Sequence, residues 1–275
     1  MVRRLRALTG AKRVGHAGTL DPLATGVLPI LFESSTRLAD FAHQLPKTYL
    51  ADIRLGFRTN TDDAEGELVP VADPAGLDFD RVAETLSGFV GTITQRPPAF
   101  SAVKIGGQRS YKLARAGEEI APAAREVTII SARLVDFMPG PQAVASVEVV
   151  CGSGTYLRAL ARDMGETLGV GGYLGKLVRS AYGDLSLAGA ARLVDLVDAA
   201  AVESRLLPPE SVLPPMERVR LNIEQEAMVR QGRSVRVLPE PGAGPLRAHS
   251  GDGRLVALGH ADPLRRTFVP EKVLA

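Results

Sequence analysis

Cysteine is nearly absent from this chain, and the absence excludes a good deal. The single Cys151 permits no internal disulfide and no cysteine-built metal cluster, the usage of a reducing compartment, so the expected location is the cytoplasm. Histidine is scarce as well: His16, His43, His249 and His260 share no ligand spacing, so no zinc site is legible, and a catalytic metal would need carboxylate ligands that the sequence does not single out. Tryptophan is missing and aromatic residues make up 5% of the chain, which makes tyrosines inside polar motifs stand out as candidate stacking partners. No apolar run is long enough to span a bilayer, and the arginine-rich start does not read as a signal peptide. A strong charge imbalance is lacking too, since 33 basic against 31 acidic residues leave a net charge of +2.

What is present suffices for a large domain and a small one: 275 residues, 45% of them hydrophobic. The charge is unevenly spread. Residues 1–13 hold Arg3, Arg4, Arg6, Lys12 and Arg13 with no acid, and residues 96–125 hold six bases against Glu118 and Glu119. Residues 52–84 carry nine acids against Arg54, Arg58 and Arg81, a bipolar pattern that suggests a basic working face.

Apolar spacing predicts a helix at the start, stopped by Gly10, and a longer one over 155–168 with Leu157, Leu160, Ala161, Met164 and Leu168 on one face. Ser153 or Thr155 is available as its cap, with Gly169 just past its end. Short helices are expected near 79–87 and 109–116, and strands over 49–57 and 144–151. The mixture lacks a regular βαβ rhythm, which favours an α+β sheet domain over a doubly wound one. Pro208, Pro209, Pro214 and Pro215 mark a linker. Beyond it a small β-rich unit is expected, with a helix near 224–231 stopped by Gly232 and strands near 235–238, 246–249 and 254–259.

The chemistry concentrates in the stretch Gly15-His16-Ala17-Gly18-Thr19-Leu20-Asp21-Pro22-Leu23-Ala24-Thr25-Gly26-Val27-Leu28-Pro29. Its glycines allow unusual dihedrals, and Pro22 pushes Asp21 out of the helical region, so the loop aims a carboxylate. A bare Asp-Pro is ordinarily turn punctuation. Four further segments accompany this one: Lys47-Thr48-Tyr49, Arg58-Thr59-Asn60-Thr61-Asp62-Asp63-Ala64-Glu65-Gly66, Gln95-Arg96-Pro97-Pro98-Ala99-Phe100-Ser101-Ala102-Val103-Lys104, and Cys151-Gly152-Ser153-Gly154-Thr155-Tyr156-Leu157-Arg158. In this order they resemble the motifs of the bacterial TruB-type tRNA pseudouridine-55 synthases, from residue 3 to about 183.

The resemblance implies a pseudouridine synthase fold, with a central mixed, largely antiparallel sheet flanked by helices and a small β-rich PUA-like RNA-binding domain at the C-terminal end. The expected division is a catalytic domain over 1–207, a linker over 208–215 and the PUA-like domain over 216–275. Family members usually begin with a further strand and an Asp-Lys-Pro-x-Gly-x-Thr-Ser loop, both absent from this sequence. A truncated chain or a misassigned start is therefore expected, with an exposed hydrophobic sheet edge.

The implied reaction isomerises the T-loop uridine at position 55 of tRNA. It breaks the C1′–N1 bond, turns the held base and rejoins it through C5, with tRNA as the partner of a monomeric, cofactor-free enzyme. By resemblance Asp21 is the nucleophile; attack at C6, addition to C1′ and a glycal route all remain open. Arg158 is its cation, offsetting the desolvation of a carboxylate in a dry pocket. Tyr49 is the stacking ring with a hydroxyl in reach of a proton, and Leu177 packs against the base. His16 is the candidate to fill the gap left by the flipped nucleotide, with Tyr156, Asp63 and Lys104 as further substrate-binding candidates. Two other classes stand beside this one: a tRNA-binding or tRNA-folding protein using the same cleft without turnover, and a hydrolase built on Asp21 and His16, which lacks a legible oxyanion device.

Overall fold

A computed structural model describes residues 1–101, 103–105, 108–110, 122–237, 242 and 244–274. The helix expected near 109–116 falls largely outside the described residues. The chain gathers into two compact units, one made of residues 20–27 and 46–182, the other of residues 1–19, 28–45 and 183–275.

The first unit is built on a mixed, largely antiparallel sheet, as expected. Its strands run in the order Gly172–Tyr182, Lys47–Leu55, Val144–Cys151, Arg125–Met138, Gly91–Gln95, all antiparallel, while the short Ala24–Gly26 strand lies parallel to Gly172–Tyr182. Alternation explains the burial of the Lys47–Leu55 strand: Lys47, Ala51, Ile53 and Leu55 face inward, whereas Leu50 is exposed. The Leu157–Thr167 helix covers this core with Leu157, Leu160, Ala161 and Met164, all fully or nearly buried. Its start departs from expectation, for neither Ser153 nor Thr155 caps it. Tyr156 is the N-cap residue, and its side chain accepts no capping hydrogen bond. The Gln95 amide grips the Tyr156 backbone instead, accepting from its N–H at 2.8 Å and donating to its carbonyl at 3.2 Å. The Phe79–Ser87 helix begins with Asp78 accepting from the Arg81 amide at 2.9 Å, and buries Val82 and Leu86.

The second unit holds the Val2–Thr9 helix, which ends at the left-handed Gly10, and the Val14–His16 strand paired with Ile30–Phe32. Leu5, Val14 and Val202 form a small apolar cluster there. Its β-rich portion is a five-stranded sheet ordered Glu217–Arg220, Pro245–His249, Leu255–Asp262, Thr267–Val273, Val235–Arg236. The Ile223–Arg230 helix contributes Val229 to the sheet's core, and its Asn222/Gln225 capping box satisfies the first-turn amides. The stretch read as a linker is partly packed: Pro209–Val212 forms a single 3₁₀ turn, and Val212 and Leu213 are buried. Among the described residues no helix is long and apolar enough to cross a membrane.

Candidate active site

The local geometry around Asp21 follows from how its segment is tied down. Ala24 donates to the Asp21 carbonyl at 2.9 Å, closing a turn through Pro22, and the next three residues run as the Ala24–Gly26 strand beside Leu177–Arg179. Gly26 is a position where only glycine fits. Its φ is +110°, and a Cβ there would meet the Arg179 carbonyl oxygen at 2.2 Å. Val27 then donates to that carbonyl at 2.8 Å, and the Arg179 Nε returns a bond to the Val27 carbonyl at 2.7 Å.

Arg158 sits in the first turn of the Leu157–Thr167 helix and meets Asp21 as a fork: Nη2 reaches Oδ1 at 2.8 Å and Nε reaches Oδ2 at 3.4 Å. The guanidinium is 5% exposed and the carboxylate 24%, so the cation is buried while the acid keeps one side open. Nη1 donates to the Thr61 carbonyl at 3.2 Å and lies 3.5 Å from an Asp63 oxygen. Asp63 is itself buried. Its other oxygen accepts from the Thr61 hydroxyl at 2.6 Å and the Glu65 amide at 3.1 Å, and its backbone bridges to Leu174. Asn60 closes the same turn by accepting from the Glu67 amide at 3.3 Å.

Tyr49 lies in register with Arg179 on the neighbouring strand and packs against the core cluster that includes Leu177. Burial pushes its hydroxyl above the ordinary tyrosine value; the Arg179 guanidinium, hydrogen-bonded to it, pulls the other way, and Asp21 adds to the rise. Leu177 pairs with Ala24 on one side and Ala51 on the other, which sets it on the same sheet face as Tyr49. Arg179, 1% exposed, also stacks over the Tyr182 ring at 5.1 Å, and Lys47 approaches the same ring at 4.8 Å. Lys47 donates to the Ser153 hydroxyl at 3.0 Å, and burial brings its pKa down to about 8.

The first unit thus brings together Asp21, Arg158, Asp63, Tyr49 and Leu177. Tyr156 is differently engaged: it begins the helix, with the Arg125 guanidinium over its ring at 5.2 Å. His16 belongs to the other unit, exposed at the end of the Val14–His16 strand opposite Ile30. The Lys104 side chain lies outside the described residues. Sequence reasoning passed over Arg179 and the Asp62/Arg162 ion pair. The signal for Arg179 was a charged residue at an inward position of an apolar strand, two residues after Leu177. No group of His, Cys, Asp and Glu able to hold a metal occurs among the described residues.

Residues 6–157 match the family model of the TruB family pseudouridylate synthases, N-terminal domain. The chain belongs to the TruB pseudouridylate synthase family. It is accordingly an isomerase that makes pseudouridine. Among its relatives, the "tRNA pseudouridine synthase B" of Gloeothece citriformis is 37% identical over 284 residues, covering 100% of this chain and 92% of that protein. The protein of the same name from Symbiobacterium thermophilum is 45% identical over 84% of this chain and 77% of its own length. In fold, the TruB-family chain resembles a chain in a Cbf5-Nop10-Gar1 complex, with a TM-score of 0.73, 22% identity, and coverage of 100% of this chain and 80% of that one. A chain of an archaeal box H/ACA Nop10-Cbf5 complex is similar at a TM-score of 0.70 and 20% identity.

Proposed function

We propose that this enzyme converts the T-loop uridine at position 55 of tRNA to pseudouridine, with Asp21 as the essential carboxylate. The observation that carries the reading is the fork from buried Arg158 onto a half-open Asp21. An aspartate meant only to neutralise a buried arginine has no need of an open face, whereas one that must reach a ribose and base does. Arg158 holds the carboxylate in one orientation through its fork. Tyr49 stacks on the uracil opposite Leu177, holding the ring after the C1′–N1 bond breaks so that C5 can turn toward C1′ and form the new bond. The C5 proton then leaves, and N1 gains one. No redox change occurs, so no electron acceptor is called for.

The target base lies stacked within the T loop and must be flipped out to reach Asp21. His16, exposed on its strand, fills the vacated space, and Tyr156 and Lys104 contact the flanking nucleotides. Asp63 holds the turn that supports Arg158. The β-rich C-terminal sheet serves as a PUA-like RNA-binding module, and the enzyme works as a cytoplasmic monomer.

The test uses unmodified tRNA transcript carrying tritium at uridine C5. Wild-type protein is expected to release label, and Asp21→Asn to release none while still binding tRNA in a filter or gel-shift assay. Release by Asp21→Asn at the wild-type rate would refute the assignment of Asp21.

A further inference from the structure

We propose that Arg162 and Asp62 form a positioning pair that locks the 59–66 turn onto the Leu157–Thr167 helix, so that the Arg158 fork meets Asp21 in one geometry. The inference rests on the role given to Asp21 above. Arg158 and Arg162 are one helical turn apart and therefore project side by side. Both reach the same turn of chain. Arg158 Nη1 donates to the Thr61 carbonyl at 3.2 Å, while Arg162 Nη1 binds the Asp62 carboxylate at 2.8 Å.

Arg162 is fixed by more than this bond. Its Nη2 donates to the Arg96 carbonyl at 2.9 Å, and Nε and Nη2 both donate to Asp163 Oδ1, at 2.9 and 2.7 Å. The Asp62 backbone is equally constrained: its carbonyl accepts from Leu174 at 3.0 Å, and its φ of +59° puts a non-glycine residue in the left-handed region. Aspartate tolerates that conformation at some cost, and a firm side-chain partner is what keeps it there. The pair is sheltered, with side chains 21% and 14% exposed, so it is not one of the solvated surface pairs that contribute nothing measurable.

Release of the Asp62 side chain would remove the tie between this turn and the helix, leaving Thr61 and Asp63, two of the three groups that Arg158 holds, positioned only by the turn's own bonds and the bridge to Leu174. No described contact joins Arg162 or Asp62 to Asp21, so the influence on chemistry passes through Arg158. The charged groups facing Asp62 are Arg162, Arg158 and Asp163, and burial outweighs the two arginines to bring its carboxyl up to about 6. The pair is therefore ionic above that pH and weakens as Asp62 takes up a proton below it.

Three variants of this chain test the pair: Asp62→Asn, Arg162→Gln and Arg162→Lys. With tRNA, the first two are expected to lower kcat about 10- to 100-fold while KM stays within about threefold, because binding surfaces are untouched and only the reacting geometry loosens. Arg162→Lys restores part of the loss. Wild type loses kcat as pH falls through about 6, and Asp62→Asn lacks that limb. Without tRNA, proton exchange at the Arg158 Nε, followed by NMR, is expected to speed up about tenfold or more in Asp62→Asn and Arg162→Gln. Folded variants with wild-type kcat, an unchanged acid limb or unchanged Arg158 exchange would overturn the proposal, as would a rise in KM alone. A wild-type protein silent on tRNA would refute the proposed function instead, and the exchange measurement by itself would then uphold or overturn the pair.

Discussion

Replacing Arg158 by glutamine strips Asp21 of its forked partner and Asp63 of its neighbouring cation in one step. Removing one member of a buried pair costs about 3–5 kcal/mol, because the partner left behind stays desolvated. Where this case falls in that range can be worked from the contacts. Asp63, its side chain 3% exposed, cannot rehydrate, yet it keeps the Thr61 hydroxyl at 2.6 Å and the Glu65 amide at 3.1 Å. Asp21, 24% exposed, can recover water on its open side. The expected loss is therefore near the lower end, about 3 kcal/mol. At about 2–4 °C per kcal/mol for a unit of this size, the melting temperature should drop by about 6–12 °C. The decisive assay is a double-mutant cycle by urea unfolding with Asp21→Asn. If the fork couples the two residues, the double variant is more stable than the sum of the singles predicts, by about 1–3 kcal/mol. Arg158→Lys keeps the charge but not the planar fork, and should fall between. Effects that add to within about 0.5 kcal/mol would refute the reasoning, since Asp21 and Arg158 would then be energetically independent.

Two further outcomes follow from other parts of the first unit. Lys47 has a pKa depressed from 10.5 to about 8, so between pH 8 and 10.5 the unfolded chain binds the proton that the folded chain has lost. Folding stability from this group rises with pH across that window, and the increment should vanish in Lys47→Met when the two proteins are compared by urea titration at each pH. Gly165 faces Gly172 so closely that a Cβ would meet the Gly172 nitrogen at 2.1 Å, so Gly165→Ala should cost about 3 kcal/mol by forcing helix and strand apart. A melting temperature within a degree of wild type would contradict that.

The helix and strand pattern was largely legible because it obeys local rules. Leu157, Leu160, Ala161, Met164 and Leu168 recur at helical spacing, and the 144–151 strand fell where its valines predicted. The five motif segments named the loop, the acid and its arginine. What eluded the reading came from contacts between distant segments. Gln95, not a local serine or threonine, holds the start of the Leu157–Thr167 helix, because strand pairing delivers an amide to that spot from 61 residues away.

The Gly172–Tyr182 strand shows the same limit. Strict alternation would send Arg179 and Tyr182 to opposite faces, yet both are buried, 5.1 Å apart, because the pairing with Lys47–Leu55 shifts register between Arg179 and Ala181. Sequence by itself determined the family and singled out the Asp21 loop as the candidate site, since these depend on residue types at fixed spacing. Tertiary structure alone decided that Asp62 and Arg162 meet, that Arg179 bonds Val27, and that Asp21 keeps one open side. Those facts depend on where folding brings residues separated by about a hundred or more positions in the chain, and a linear pattern carries no such distance.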